Sequence, residues 1–386
     1  LVRHLHRFGG GQTAHRGPAM KVIIVGAGSA GMAIGWRLAQ AGAEVALYDR
    51  GLAGRGATWA AAGMIAPGAE LKDESKELAA FAQRSRAAWP GFASELEAES
   101  GCNIGYSEPG SLILALDDAR AHALAEHARE HSAIGAEWLT PEAVLGREPL
   151  VSPEVRGALY IPADAQVDNR LAADALRIAL ARRHIVIHEN TEARGLLVID
   201  NRVRGIVCAK GAVAADAVIV ASGAWLNEFG GVPAELPPVA PVKGQMIAVQ
   251  APTGTSLPKH LLWSDGAYMV SRRHRVLIGA TVEDAGFDIS VSAGVCARLL
   301  SAGIRIVPAL REWPVSETWA GLRPRTPDGA PVLGASSVEG LYVAGGQFRN
   351  GILFAPAVAD AMQQIVLDSQ SAPELRSFDP RRFNAR

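Results

Sequence analysis

The chain has 386 residues, too many for one small core and about right for two domains. Its 38 Lys and Arg balance 39 Asp and Glu, so no field of one sign exists to draw in nucleic acid or an anionic membrane. No uncharged stretch exceeds that from Val22 to Trp36, which is shorter than a membrane span, and no transmembrane helix is expected.

Residues 1–19 contain no acid, little apolar content and three consecutive glycines. They are expected to be a disordered extension, or an upstream start that the working protein does not need. From Met20 the pattern is strand, glycine turn, helix, strand, in "KVIIVGAG", "SAGMAIGWRLAQAG" and "AEVALYDR". That is a βαβ unit, with strands apolar enough to be buried on both faces. The turn "GAGSAG" carries Gly26 for the tight bend, Gly28 for approach of a diphosphate to the backbone, and Gly31 for packing of helix on strand. The helix N-terminus then faces the diphosphate, and Asp49, about 20 residues on, stands where a carboxylate accepts ribose hydroxyls. This pattern does not separate FAD from NAD. The following stretch, "GRGATWAAAGMIAP" from Gly54 to Pro67, is small and glycine-punctuated, suited to run along a ribityl chain and ring or to pack as a loop.

A helical region is expected from Asp73 to Ser100, broken at Trp89-Pro90, followed by the strand "GSLILAL" and a polar helix from Asp117 to about His131. "GALYIPADAQVDN" reads as a strand and a turn into a helix near Arg170. Short strands and turns alternate from Ile185 to Ala224, ending in the buried type "AVIVASGA". Between Pro237 and Ala285, "PVKGQMIAVQ", "HLLWSDGAYMVS" and "RVLIGATV" form an antiparallel pattern. A helix at Ala293 to Ile306, the buried strand "GLYVAGG" and the turn "GGQFRNG" complete the order. The implied fold class is α/β: a Rossmann-like βαβ domain assembled from separated pieces, with an inserted α+β substrate domain on an antiparallel sheet. The expected division is 20–80, 164–235 and 320–368 for the nucleotide domain, 81–163 and 236–319 for the substrate domain, and 369–386 as a tail. Cys102, Cys208 and Cys296 are far apart with no metal spacing, which fits structural thiols in a reducing, cytoplasmic setting.

Arg323 in "WAGLRPRTPDG" precedes a proline and so stands on stiff backbone. It suits bidentate capture of a carboxylate, and equally a surface pair with Asp328 or Glu317. No histidine or carboxylate stands out as a general base, and the ten histidines read as surface groups.

In their order, the βαβ opening, "ATWAAAGM", "VIVASGAW", "PVKGQM", "WAGLRPRTPDG" and "GQFRNGILFAP" resemble the D-amino acid oxidase-like FAD enzymes, among them the bacterial glycine oxidases of thiamine biosynthesis. The resemblance runs from Met20 to about Leu367 and implies oxidative deamination of glycine or a similar small amino acid. Sarcosine, another secondary amine or a small D-amino acid is the alternative substrate, and an electron carrier the alternative to oxygen. It implies hydrogen peroxide, glyoxylate and ammonia as products, no protein base, a homotetramer, and neither nucleic acid nor membrane as partner. It makes Arg323 the carboxylate anchor, with Tyr268 and Arg349 beside it, and Arg325 a surface charge. The residues it assigns to FAD are Ser29 and Ala30 at the diphosphate, Asp49 and Arg50 at the ribose, and Ala57, Thr58, Ala62, Gly63 and Met64 along the flavin. It adds Ala193 at the adenine and Gln347, Phe348, Arg349, Asn350, Gly351, Ile352 and Leu353 under the ring. Gln347 and Gly266 stand where relatives carry histidines; Gln347 keeps a donor, and Gly266 is expected to widen the pocket.

Overall fold

The apolar run Lys21–Val25 lies in the middle of a six-stranded sheet and is covered on both faces. In this computed structural model, which describes residues 19–70, 74–130, 135–233, 236–368 and 373–383, the sheet order is Val332–Ala335, Leu341–Gly345, Ala217–Val220, Lys21–Val25, Glu44–Tyr48, Val186–His188. Pairing is parallel except at the edge strand Val332–Ala335, which is antiparallel to its neighbour. Side chains alternate across a strand, so Val22 and Ile24 enter one core while Ile23 and Val25 enter another. Two-sided burial is why this strand reads as an unbroken apolar run.

The first core lies under the helices Ser29–Gln40, Lys76–Ser100, Asn169–Arg182 and Ala355–Asp368, which contribute Trp36, Trp89, Leu176 and Met362. The second is closed by a three-stranded antiparallel sheet, Ala193–Ile199, Arg202–Cys208 and Gly211–Ala214, through Val203, Ile206 and Cys208. Helix Lys76–Ser100 corrects one expectation, because it runs unbroken through Pro90. Ser75 Oγ accepts from the Leu78 N–H at 3.2 Å to open it, and Gly101, in the left-handed region, closes it. An interior proline costs a free helix about 3 kcal/mol. Here the neighbouring Trp89 and Phe92 are both buried, and Trp89 Nε1 donates to Leu353 O at 3.0 Å, so tertiary packing carries the helix across the proline. The expected start at Asp73, the end near His131 of the following helix, and residues 1–18 of the expected extension lie outside the described residues. In the expected tail, Pro373–Phe378 forms a turn of 3-10 helix that buries Leu375 and Phe378.

A second sheet has the order Val315–Arg325, Ala240–Gln250, Arg275–Gly279, Ala267–Arg272, Leu261–Ser264, Ser111–Ala115, Gly157–Ile161, Glu137–Leu139. One pair, Ser111–Ala115 beside Leu261–Ser264, is parallel and the others are antiparallel. Helix Ala293–Ile306 covers part of it and buries Val295, Leu299 and Ile306. The architecture is therefore the α/β fold the sequence implies, a Rossmann-like opening joined to a mainly antiparallel sheet.

The first helix closes on the first strand through glycine. A Cβ on Gly31 would lie 1.9 Å from the carbonyl oxygen of Gly26, a backbone atom with nowhere to move. Gly31→Ala is expected to push the helix off the strand and lower unfolding free energy by about 1–3 kcal/mol. Denaturant melts check this, and an unchanged midpoint would show that the junction yields freely.

Candidate active site

A cavity of about 440 Å³ lies where the C-terminal ends of the parallel strands meet the long strands Ala240–Gln250 and Val315–Arg325 of the second sheet. Of the residues the sequence nominates, it is lined by Gly26, Gly28, Ser29, Ala30, Asp49, Arg50, Ala57, Thr58, Ala62, Gly63, Met64, Ala193, Tyr268, Arg323, Gln347, Phe348, Arg349, Gly351 and Ile352. Gly31, Asn350 and Leu353 do not line it. Gly31 is the packing contact just described. Leu353 is buried behind the wall, its carbonyl accepting from Ser85 Oγ at 2.6 Å as well as from Trp89. Asn350, 6 % exposed, keeps the turn closed by donating its N–H to Gln347 O at 2.9 Å.

One end of the cavity is built of backbone. Gly26 has φ +105, and a Cβ there would sit 2.4 Å from Ala221 O, so the ends of two neighbouring strands touch only because it is glycine. Thr58 Oγ1 accepts from the Ser29 N–H at 2.8 Å, tying the helix start to the small-residue segment. Asp49 does more than the sequence suggests. Its Oδ2 accepts from the Ala27 N–H and its Oδ1 from the Gly51 N–H, both at 2.8 Å, so it braces the glycine loop while keeping lone pairs for a hydroxyl. The Arg50 guanidinium lies 3.9 Å from the Trp225 ring centroid, and Phe287 stacks on Trp225 at 5.4 Å.

The other end is built of side chains from the second sheet. Arg323 Nη1 donates to Thr281 O at 3.0 Å and to Lys243 O at 3.4 Å. Neither alternative partner is with it. Glu317 is paired to Arg170 and Arg275, and Asp328 to Arg382. Arg325, as expected, is a surface charge, paired to Asp284 at 2.9 Å. The Tyr268 hydroxyl is pushed up to about 12 by burial, with Arg323 opposing, and so stays a neutral donor. It contacts Met246 Sδ at 3.7 Å. Arg349 is exposed at the rim. Its Nη2 reaches Glu70 O at 3.5 Å.

Glu70 is the residue the sequence does not single out. It ends the short helix Pro67–Glu70 and lines the cavity with Arg323, Tyr268 and Arg349. Asp164, 0 % exposed, accepts from the Gly68 N–H at 3.0 Å and the Ala69 N–H at 3.2 Å, fixing this helix. Burial raises the Glu70 carboxyl to about 7, although Arg349 and Arg323 pull it down. Burial likewise lifts Asp164 to about 6, against hydrogen bonds from Ser111 and the two amides. Gly244 and Met246 also line the cavity unannounced, as does Trp225, although all three lie in stretches whose order marks the resemblance. Gly266, by contrast, has φ +93 in the exposed hairpin turn between Ser264 and Ala267 and does not line the cavity, so it widens nothing. His260 also departs from expectation, its Nδ1 lying 2.6 Å from Oε1 of the buried Glu148.

Three buried polar atoms at this site have no partner among the described residues: Ser222 Oγ, Gln347 Nε2 and Asn350 Oδ1. Ser222 and Gln347 line the cavity, and an unpaired buried donor is costly, so this wall is made for a polar ligand. No group of three or more His, Cys, Asp or Glu suited to a metal occurs among the described residues.

The sequence pattern of the family described as FAD dependent oxidoreductase matches residues 21–365. The chain belongs to that family. Its cofactor is FAD, and a glycine-lined cradle, a braced carboxylate and orphaned polar atoms fit such a ligand. Glycine oxidase from Geobacillus kaustophilus is 37% identical over 362 residues, covering 92% of this chain and 95% of the relative. The bifunctional protein ThiO/ThiG from Trichormus variabilis is 35% identical over 94% of this chain, which spans only 55% of that relative's length. Among solved structures, glycine oxidase from Geobacillus kaustophilus matches with a TM-score of 0.87 at 35% identity, covering 94% of this chain and 99% of that one. Iminodiacetate oxidase from Chelativorans matches at 0.83 with 28% identity, covering 93% and 98%.

The seat of Arg323 can be tested. A Cβ on Gly244 would come within 2.3 Å of both Nη1 and Nη2 of Arg323. Gly244→Ala is expected to displace the guanidinium and raise KM about tenfold, equivalent to ~1.4 kcal/mol, while FAD content holds. Steady-state kinetics beside flavin absorbance separate the two effects, and an unchanged KM would show that the seat of the guanidinium on Gly244 does not bear on substrate binding.

Proposed function

We propose that this chain is an FAD-dependent oxidase of glycine or a similar small amino acid. The observation that carries it is one cavity joining the FAD-family glycine loop to Arg323, Tyr268 and Glu70. FAD, when bound, supplies the two-electron acceptor, and oxygen takes the electrons on as hydrogen peroxide. The oxidised substrate is an imine, which water hydrolyses to glyoxylate and ammonia.

The chain's own part is orientation and proton placement. Arg323 Nη1 is held by Thr281 O and Lys243 O, with Tyr268 beside the guanidinium, and neither Glu317 nor Asp328 claims its charge, so it can take the substrate carboxylate. Tyr268, neutral and close by, donates to the same carboxylate. A carboxylate fixed at one end turns the amine toward Glu70, which can accept its proton once ionised. Arg349 at the rim draws the anion in. The positions that line the glycine end hold FAD by backbone amides, with Asp49 and Arg50 at the ribose. We assign 20–80, 164–235 and 320–368 to the FAD-binding unit and 81–163 and 236–319 to substrate binding, with helix Lys76–Ser100 packed against the former. Cytoplasmic location, service to thiamine biosynthesis and a homo-oligomer, a tetramer by family resemblance, complete the proposal; the three unpaired thiols support the first.

Arg323→Ala is expected to leave the protein yellow and to lower kcat/KM for glycine at least a hundredfold, or about 3 kcal/mol. Peroxide release from glycine, sarcosine and D-alanine, measured side by side, tests the substrate class, and no peroxide from any of them sinks the oxidase assignment. Glu70 gives a separate test. Below about pH 7 its carboxyl holds a proton and cannot accept another, so kcat/KM should rise as pH climbs through that value. In Glu70→Gln this limb should vanish while the limb set by the substrate amine remains. The same inflection in the variant would clear Glu70 of the role.

A further inference from the structure

Arg272 is a buried cation that the proposed chemistry does not use. It is 7 % exposed, and among the described residues no carboxylate lies within ion-pair distance of it. Its partners are neutral. Nη2 donates to Ala62 O at 2.5 Å and Val167 O at 2.7 Å, and Nη1 to Gln166 Oε1 at 2.6 Å and Ser271 O at 2.9 Å, while Nε has no partner among the described residues. Burial lowers its pKa to about 10, with Asp168 opposing, so the charge persists at working pH. Placing such a charge with no carboxylate in direct contact, and only the Asp168 charge farther off, is expensive unless several oriented dipoles solvate it.

Where those dipoles come from gives the group its use. Ala62 and Gly63 line the cofactor end of the cavity. Gln166 and Val167 belong to the segment that backs this wall: Met64 pairs with Gln166, and Val167 N–H donates to Gly63 O at 2.8 Å. Gly63 has φ +76, and a Cβ there would lie 2.0 Å from Val167 O and 2.7 Å from Arg272 Nη2, so the three segments meet with no room to spare. Arg272 itself ends the strand Ala267–Arg272, four residues after Tyr268 and on the same face of it. One guanidinium thus reaches from the strand of the substrate wall to the backbone of the cofactor wall.

We propose that Arg272 is a positioning residue: its buried guanidinium clips the strand carrying Tyr268 to the backbone at Ala62–Gly63, so that cofactor wall and substrate wall keep a fixed spacing. The substrate half of this statement rests on the proposed role of Tyr268; the cofactor half does not. Lysine keeps the charge but cannot span four acceptors with a planar fork.

The test uses Arg272→Lys, Gln166→Leu, which removes one acceptor, and Leu96→Ala, a fully buried helix position chosen as a stability control. FAD dissociation constants of the apoproteins are read by flavin fluorescence, thermal midpoints by melting, and KM on the reconstituted enzymes. Arg272→Lys is expected to weaken FAD about tenfold and raise KM, and Gln166→Leu to weaken FAD about threefold, whereas Leu96→Ala lowers the midpoint and leaves FAD affinity within about twofold. Should Arg272→Lys not fold, the Gln166→Leu value alone decides. FAD affinity at the unaltered value in the Arg272 and Gln166 variants, or an equal loss in Leu96→Ala, overturns the proposal. FAD weakened with KM unmoved would retain the clip and reject the role given to Tyr268.

Discussion

Everything at the cofactor end depends on backbone approaching backbone with no side chain between. Gly26 brings the ends of the Lys21–Val25 and Ala217–Val220 strands together, and Gly31 lets the first helix close on the turn between them. A helix N-terminus is useful for a diphosphate only if its amides are reachable, and reach is set here by absent Cβ atoms. The Asp49 carboxylate adds stiffness, since two amide hydrogen bonds hold it across the loop. The sheet can therefore offer a rigid cradle of backbone amides.

The substrate end solves the opposite problem. Its groups are charged, and each must be kept in one orientation in a poorly solvated place. Arg323 is held by main-chain carbonyls instead of a carboxylate, which leaves its charge available to a ligand. Tyr268 is kept protonated by burial, and Glu70 is brought close to neutrality by the same effect. Cations at one side and a carboxyl of raised pKa at the other suit the zwitterion proposed as substrate, whose carboxylate would be bound as it is and whose ammonium would lose a proton before oxidation.

These two constructions explain what was legible in the sequence. The βαβ turn was readable because spacing and glycine identity are the mechanism itself, and helix Ala293–Ile306 because its apolar period is uninterrupted. Arg323 stayed ambiguous from residues alone, since only the pairing of Glu317 with Arg170 and Arg275, and of Asp328 with Arg382, leaves it free. Pro90 misled because local propensity says nothing of Trp89 and Phe92 packing beside it. Glu70 was invisible: a lone acid carries no signal until the fold buries it, and Asp164, which fixes its helix, is 94 residues away. Gly266 misled in another way, because its neighbour Tyr268 lines the cavity while the glycine itself lies out in the hairpin turn.

Arg272 shows why a joint between two such halves favours neutral partners. A carboxylate opposite it would satisfy the charge, but would have to be desolvated as well, and the pair would lock to itself with no need for the cofactor loop. Carbonyls of Ala62 and Val167 are already present as main-chain dipoles; they meet the guanidinium together when the loop, the Gln166–Val167 segment and the Tyr268 strand are all in place. The charge is then served by these dipoles in the assembled geometry, and a shifted wall that kept it buried would leave it short of acceptors. In the proposed role a buried cation of this kind would hold the spacing of the two walls before either ligand arrives.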